Sequence, residues 1–310
     1  MYHGQEEKGG RMNSLWAQVE SINSTTYDTD SITVLNASKE RVTLRVEKEP
    51  TYQLMNLYYF ELEPMEFKEK PSFLVLASHH VDEMPISVTE KFNVLKKFYP
   101  TTQDSVEDLI AYIEKALASL QNKNIKALTE AILNPLKDKF FLYPAATKFH
   151  HAYIGGIAHH TVSMLKLMEG FLENYPFLNR DLLTAGIILH DLFKVEELTD
   201  YKEPSYSRDG KLLGHISLGA QAIYKASYEL GLGEAEERVL LEHMVLTHHY
   251  YGHFGSPKKP NLAEALALHF IDNIDAKFVV LGEALAQSEE GTFTPSLNII
   301  DKERFYKPKI

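Results

Sequence analysis

The chain has 310 residues, 44% hydrophobic and 24% charged. These are ordinary globular proportions that exclude a collagen-like or disordered polymer and, at about 150 residues per domain, suggest two domains. It contains no cysteine, so disulfides, zinc–thiolate sites and thiol nucleophiles are excluded, and any metal must be held by imidazoles and carboxylates. The net charge is −11, of which residues 1–90 carry −7. An acidic chain repels nucleic acid, so contact with one needs local basic groups or bound cations.

In chain order, residues 1–13 read as a polar leader without the apolar core of a signal peptide. No apolar run reaches the roughly 18–20 residues of a membrane helix. The expectation is a cytoplasmic protein without membrane contact. Residues 14–80 alternate apolar and polar positions in short runs rich in Val, Ile, Leu and Thr: LWAQVESI, SITVL, RVTLRVE, LYYFELEPMEF and SFLVLAS. Each reads as a strand. About five strands in so short a span suit a small barrel of the OB type, with an SH3-like barrel as the alternative. Residues 81–103 read as a linker.

From residue 104 to 290 the period changes. Val106, Leu109, Ile110, Ile113, Leu117 and Leu120 recur at three and four residues, the stripe of an amphipathic helix. Further helices are expected over 123–134, 157–174, 180–194, 212–231, 234–250 and 262–287, separated by Pro- and Gly-bearing segments. Residues 291–310 read as a C-terminal extension. The expected class is therefore α+β, a small five-stranded barrel followed by an all-α bundle.

Eleven of the 14 histidines fall between His150 and His269. The run LLTAGIILHDLFKVEEL is apolar nearly all round, yet holds His190 and Asp191. An ionised carboxylate there is costly unless paired or bound to a cation. A hydrogen bond to a neighbouring His, or a salt bridge to Lys194, explains it without a metal. Lys194 in turn has Glu197 as an ordinary partner. Other helices carry His160, then His215 after a glycine free to take an unusual backbone angle, then His248 and His249, then His269 and Asp272. Imidazoles and carboxylates projecting inward from several helices are how bundles build metal sites. His and Asp donors suit manganese, iron, zinc or magnesium.

The order H…HD…H…HH…D resembles the HD-domain superfamily of metal-dependent phosphohydrolases. The segments YPAATKFHH, GIAHHTVSMLKL, RDLLTAGIILHDLFKVEEL, GKLLGHIS, LTHH, GSPKKP and ALHFIDNIDAK are similar to the YhaM family of 3′–5′ exoribonucleases, as is the closing RFYKP. That resemblance implies an OB-like domain before the helical one. It implies His160, His190, Asp191 and Asp272 around one metal and Asp191, His215, His248 and His249 around a second. Asp191 is the bridge, and Asp275 is the rival for the last position. His159 and His243 are neighbours the motif does not select. The implied cofactors are two divalent ions, manganese first, with magnesium, iron, zinc and nickel open.

The implied reaction is hydrolysis of single-stranded RNA, with DNA open, to nucleoside 5′-monophosphates. Asp191 and Lys194 are the candidate catalytic groups. Lys194, the Gly255 amide, Lys258 and Lys259 are candidates for holding the substrate backbone. Tyr250, Tyr251 and Phe254 can stack on bases, since stacking needs no sequence readout, although core packing is the commoner fate of such rings. A homo-oligomer is compatible with all of this. The alternatives are a phosphohydrolase of free nucleotides or short oligonucleotides, or a non-catalytic RNA-binding scaffold. Two departures from the family pattern stand out. Phe193 replaces the usual glycine of HDLGK and brings a large side chain near the metals, and the N-terminal barrel lacks an evident basic groove.

Overall fold

A computed structural model describes residues 13–147 and 151–310. The expected leader at 1–13 lies outside the described residues except for Asn13. The chain divides into two compact units, residues 1–98 and 99–310.

The first unit is a closed five-stranded barrel of strands β1 (Ser14–Asn23), β2 (Asp30–Asn36), β3 (Arg41–Val46), β4 (Leu57–Phe67) and β5 (Lys70–His80). The strand order is β1-β2-β3-β5-β4. β1 pairs antiparallel with both β2 and β4, and β3 meets β5 in parallel. This Greek-key order is that of an OB-type barrel rather than of the SH3-like alternative. Alternation puts Ala17, Val19, Ile32, Val34, Leu44, Phe60 and Leu62 inside, where they form the core with Val46 and Tyr58. A register shift between Val19 and Ser21 marks a bulge that lets β1 serve two partners.

Residues 81–103 are more ordered than the linker read from sequence. They contain helix α1 (Val88–Leu95), which buries Phe92 and Leu95. Ser87 and Glu90 form a reciprocal capping box at its start, so two backbone donors are satisfied locally.

The second unit is helical. Its elements are α2 (Val106–Ser119), α3 (Lys123–Leu133), α4 (Lys137–Leu142), α5 (Gly156–Asn174) and α6 (Arg180–Leu189), then α7 (Lys194–Glu197), α8 (Arg208–Leu212), α9 (Gly214–Glu229), α10 (Glu236–Thr247) and α11 (Ala263–Gln287). Helix α6 is central: every residue from Asp181 to Leu189 is buried, and it touches α3, α5, α10 and α11. Its start is secured by Asn179, whose side chain accepts from the Leu182 amide at 3.0 Å. Asp181 accepts from the amides of Gln121 and Asn122 at 2.8 and 2.6 Å. A helix buried on all sides is thus pinned in register as well as in place.

The helix expected over 180–194 stops at Leu189. His190 and Asp191 lie in the turn that follows, not in mid-helix, and the short α7 begins only at Lys194. In the C-terminal extension, residues 291–310 fold back on themselves, with bridges joining Phe293 to Tyr306 and Leu297 to Glu303. No helix among the described residues is long and apolar enough to cross a membrane.

Candidate metal centre

The turn after α6 delivers Asp191 into the middle of the helical unit, 3% exposed. Its two oxygens face different neighbours. Oδ2 lies 3.4 Å from His190 Nε2 and 3.8 Å from His160 Nε2. Oδ1 lies 3.3 Å from His215 Nε2 and 3.7 Å from His248 Nε2. His160 Nε2 in turn is 3.3 Å from Asp272 Oδ1. Two sets result, each with ligand atoms within 4.8 Å of one another: His160, His190 and Asp272, and Asp191, His215, His248 and His249. All seven residues singled out from the sequence converge, from α5, the turn after α6, α9, the end of α10 and α11.

The rings are aimed by their far nitrogens. His190 Nδ1 donates to the Ile187 carbonyl and His248 Nδ1 to the Val245 carbonyl, both at 2.8 Å. His249 Nδ1 donates to the Phe254 carbonyl at 2.6 Å. A carbonyl only accepts, so each of these Nδ1 atoms carries the hydrogen and each ring turns its Nε2 to the centre. His215 Nδ1 reaches Glu197 Oε2 at 3.0 Å, and Gly214, at φ 72°, supplies the turn that starts α9 there.

Among the described residues, His190 Nε2, Asp191 Oδ1, His215 Nε2 and His248 Nε2 are buried without a hydrogen-bond partner. Single orphans of this kind are rare, because each costs about 1–3 kcal/mol. Four that face one another, three ring nitrogens and one carboxylate oxygen, form a donor set for cations. The donor set thus fits divalent metal ions.

The electrostatics point the same way. Burial opposes ionisation of Asp191, but Lys194 and the surrounding imidazoles outweigh it and hold the carboxyl well below its usual range. Burial, reinforced by His249 and His190, keeps His248 neutral by pushing it well below the ordinary histidine value. His249 is lowered for the same first reason, with His215 contributing. His160 is the exception. Burial disfavours its charge, yet Asp272 and Asp275 together raise it to about 10.

Asp275 stands apart from these two sets, in a third group with His151 and His160. Its Oδ2 accepts from His160 Nδ1 at 2.7 Å and from His151 Nε2 at 3.0 Å, and its Oδ1 accepts from the Ser163 hydroxyl. It stands behind His160, with its oxygens committed, and orients that ring. His151 Nδ1 meets the Tyr153 hydroxyl at 2.8 Å, and that oxygen meets His159 Nδ1 at 2.7 Å. Sequence reasoning passed over His151, Tyr153 and Ser163, and named Glu197 only as a partner for Lys194. The only sign of them was polarity within otherwise buried segments, and nothing in it revealed which ring each would support.

Lys194 pairs with Asp191, Nζ to Oδ2 at 2.7 Å, rather than with Glu197, whose carboxylate is taken by His215. The Phe193 ring lies against α9: a Cβ built on Gly219 would stand 3.6 Å from it. His243 Nε2 accepts from the Asn261 amide at 2.9 Å, and His269 Nδ1 donates to the His248 carbonyl at 2.7 Å. Both are structural supports. Gly255, Lys258 and Lys259 are exposed in the loop after α10, with Gly255 at φ 102° and Lys259 Nζ 5.1 Å above the Tyr250 ring. None of the three joins either donor set.

Comparison with known proteins agrees with this geometry. Residues 157–277 match the HD domain family. The chain is 46% identical over 211 residues to the 3′-5′ exoribonuclease YhaM of Geobacillus sp. (strain WCH70), an alignment that covers 68% of this chain and 65% of that protein. The chain therefore spans just under two thirds of that relative. Among solved structures, a replication protein A heterotrimer bound to ssDNA matches at 10% identity over 27% of this chain and 65% of the other, with a TM-score of 0.21. That likeness is too slight to bear on fold or function.

Proposed function

We propose that the chain is a member of the YhaM family of HD-domain proteins, to which it is similar, and that it is a metal-dependent 3′–5′ exoribonuclease that trims single-stranded RNA to nucleoside 5′-monophosphates. The observation that carries this reading is the position of Asp191 between two groups of imidazole and carboxylate donors, with the Nε2 atoms of His190, His215 and His248 buried and unpartnered beside it. In this reading His160, His190 and Asp272 would hold one divalent ion, His215, His248 and His249 would hold the other, and Asp191 would be shared between them. Bound there, two cations supply activation of water and neutralisation of charge on the phosphoryl oxygens. Manganese is our first choice of ion, with magnesium, iron, zinc and nickel compatible with the same donors.

The protein's own groups do the rest. Lys194 balances the Asp191 charge and keeps that carboxylate oriented. Its ammonium has three hydrogens, so one is available to a phosphate oxygen while another stays on Asp191. Glu197 fixes the His215 ring, and Asp275 with His151 and Ser163 fixes His160. The Gly255 amide is not assigned to the substrate backbone, because its hydrogen is already donated to the Gly252 carbonyl at 3.0 Å, but Lys258 and Lys259 are. Their positive charge is what an acidic chain needs locally to admit RNA. We place the activity in the cytoplasm, and a homo-oligomer is compatible with it.

The test is end-labelled RNA incubated with manganese. The expected result is a ladder that shortens from the 3′ end and releases nucleoside 5′-monophosphates, with no products from Asp191→Ala. Metal analysis should find that Asp191→Ala retains little or no bound divalent ion. Consumption of mono- or dinucleotides alone would instead make the protein a nucleotide phosphohydrolase. If no phosphoester is cleaved and no metal is bound, the centre is not catalytic.

A further inference from the structure

We propose that the loop between α10 and α11 carries a base-stacking shelf, built on Tyr251 and Phe254, that receives the unstacked bases at the 3′ end of a single strand. The proposal rests on the nuclease reading above and adds to it the part of the substrate that the metal centre does not contact.

Large aromatic side chains are normally buried, because each hides a large apolar area from water. Tyr251 and Phe254 are 47% and 59% exposed. They are nevertheless held in place. Tyr251 stacks on His253 at 5.4 Å and 30° between planes, and His253 meets Phe254 at 4.2 Å between centroids. Behind them Tyr250 packs against Tyr251 at 4.7 Å and against His269 at 5.1 Å. The backbone is fixed as well: the Phe254 amide donates to the Tyr251 carbonyl at 3.0 Å.

What ties this exposed cluster to the centre is a single bond. The Phe254 carbonyl is the acceptor that fixes the His249 ring, at 2.6 Å, so the shelf begins one hydrogen bond away from a candidate metal donor. Exposed rings elsewhere, such as Phe177 and Phe278, have no such link. An exposed ring pair beside a phosphodiester site matches the flat faces of nucleobases. Stacking on them is indifferent to base identity, which suits an enzyme that must pass every base in turn. It also suits an acidic protein, because attraction between ring faces does not depend on net charge. Paired bases in a duplex already use both faces, so only an unpaired 3′ end can take up the shelf.

The experiment compares two single-stranded oligoribonucleotides of equal length. One carries ordinary bases throughout, and the other carries abasic riboses at its 3′-terminal positions. With the manganese-loaded full-length protein, loss of the terminal bases should raise KM about tenfold, the order expected for stacking on aromatic side chains. In Phe254→Ala and Tyr251→Ala that ratio should fall toward one, while Phe254→Tyr should retain it. Both positions are exposed, so melting curves and metal content serve to verify that the variants remain folded and loaded. Equal KM for the two oligomers in the unaltered protein, or an undiminished ratio in both alanine variants, overturns the shelf and leaves the nuclease intact. Failure to hydrolyse either oligomer overturns the nuclease reading itself, and the shelf with it.

Discussion

The two units bury charge in opposite ways. In the barrel, Asp30 is 2% exposed and fully answered: it accepts from Lys48 at 2.9 Å and from the amides of Thr25 and Glu49 at 2.8 and 3.1 Å. Arg45, 4% exposed, donates to the Thr29 hydroxyl and carbonyl and lies 4.1 Å from the centre of the Phe67 ring. In the helical unit, Asp191 and three imidazoles keep buried atoms unmatched at the centre. A buried charge with all its partners serves the fold. A group of buried donors that lack partners costs stability and is explained by a ligand. The difference sets the centre of the helical unit apart from the barrel core.

If this contrast is right, damage to one unit should be read by different instruments from damage to the other. Trp16, in β1, is the only tryptophan of the chain, so its fluorescence reports the barrel. The largest effect is expected from Phe60→Ala. Phe60 is completely buried in the barrel core, and its truncation should cost about 3–5 kcal/mol. Denaturant unfolding followed at Trp16 measures this directly, and a loss below about 1 kcal/mol would show that the barrel core is not continuous there.

Asp275→Asn comes next and should leave Trp16 fluorescence untouched. The amide no longer offers two acceptor oxygens to His151, His160 and Ser163, so the His160 ring loses its fixed tautomer. Affinity for a divalent ion is expected to fall about 10- to 100-fold, read by calorimetric titration of the metal-free protein with manganese. Unchanged affinity would remove Asp275 from the support of the centre.

The smallest effect concerns acid. Lys48 and the two amides lower Asp30 from 3.8 to about 2. A carboxylate with a depressed folded value stabilises the native state above its unfolded value and ceases to do so as pH falls through the folded one. The Asp30 contribution is therefore complete above about pH 4 and lost as the pH falls toward 2. Acid titration of Trp16 fluorescence should show this dependence, and Asp30→Asn should flatten it.

Much of this architecture was legible beforehand. Alternation in SITVL and RVTLRVE gave strands because one barrel face is buried and the other is wet, and Val106 to Leu120 gave a helix because only one side of it meets the core. Helix α1 was missed although Ser87 and Glu90 spell a capping box, because eight residues carry too short a periodic pattern to stand out from a linker. The end of α6 was misread for the opposite reason. The apolar run continues through Leu192 and Phe193, and burial on all sides hides the point where a helix stops.

At the centre, the types of the candidate donors were readable from the chain, and the resemblance to a known family selected the seven. Their tautomers, and the roles of Asp272 and Asp275, were not. Both aspartates lie on α11, one turn apart, and differ only in what faces them.

Local sequence determined which segments become strands and helices and which residues are able to bind a cation, because propensity, periodicity and donor chemistry belong to each stretch of chain by itself. Tertiary structure alone decided that Asp191 stands between two sets of imidazoles, that Asp275 supports His160 from behind, and that Lys194 answers Asp191 rather than Glu197. The first two relations join residues up to more than a hundred positions apart, and only the packing of α5, α6, α9, α10 and α11 brings them together, whereas Lys194 and Asp191 are near neighbours in the chain.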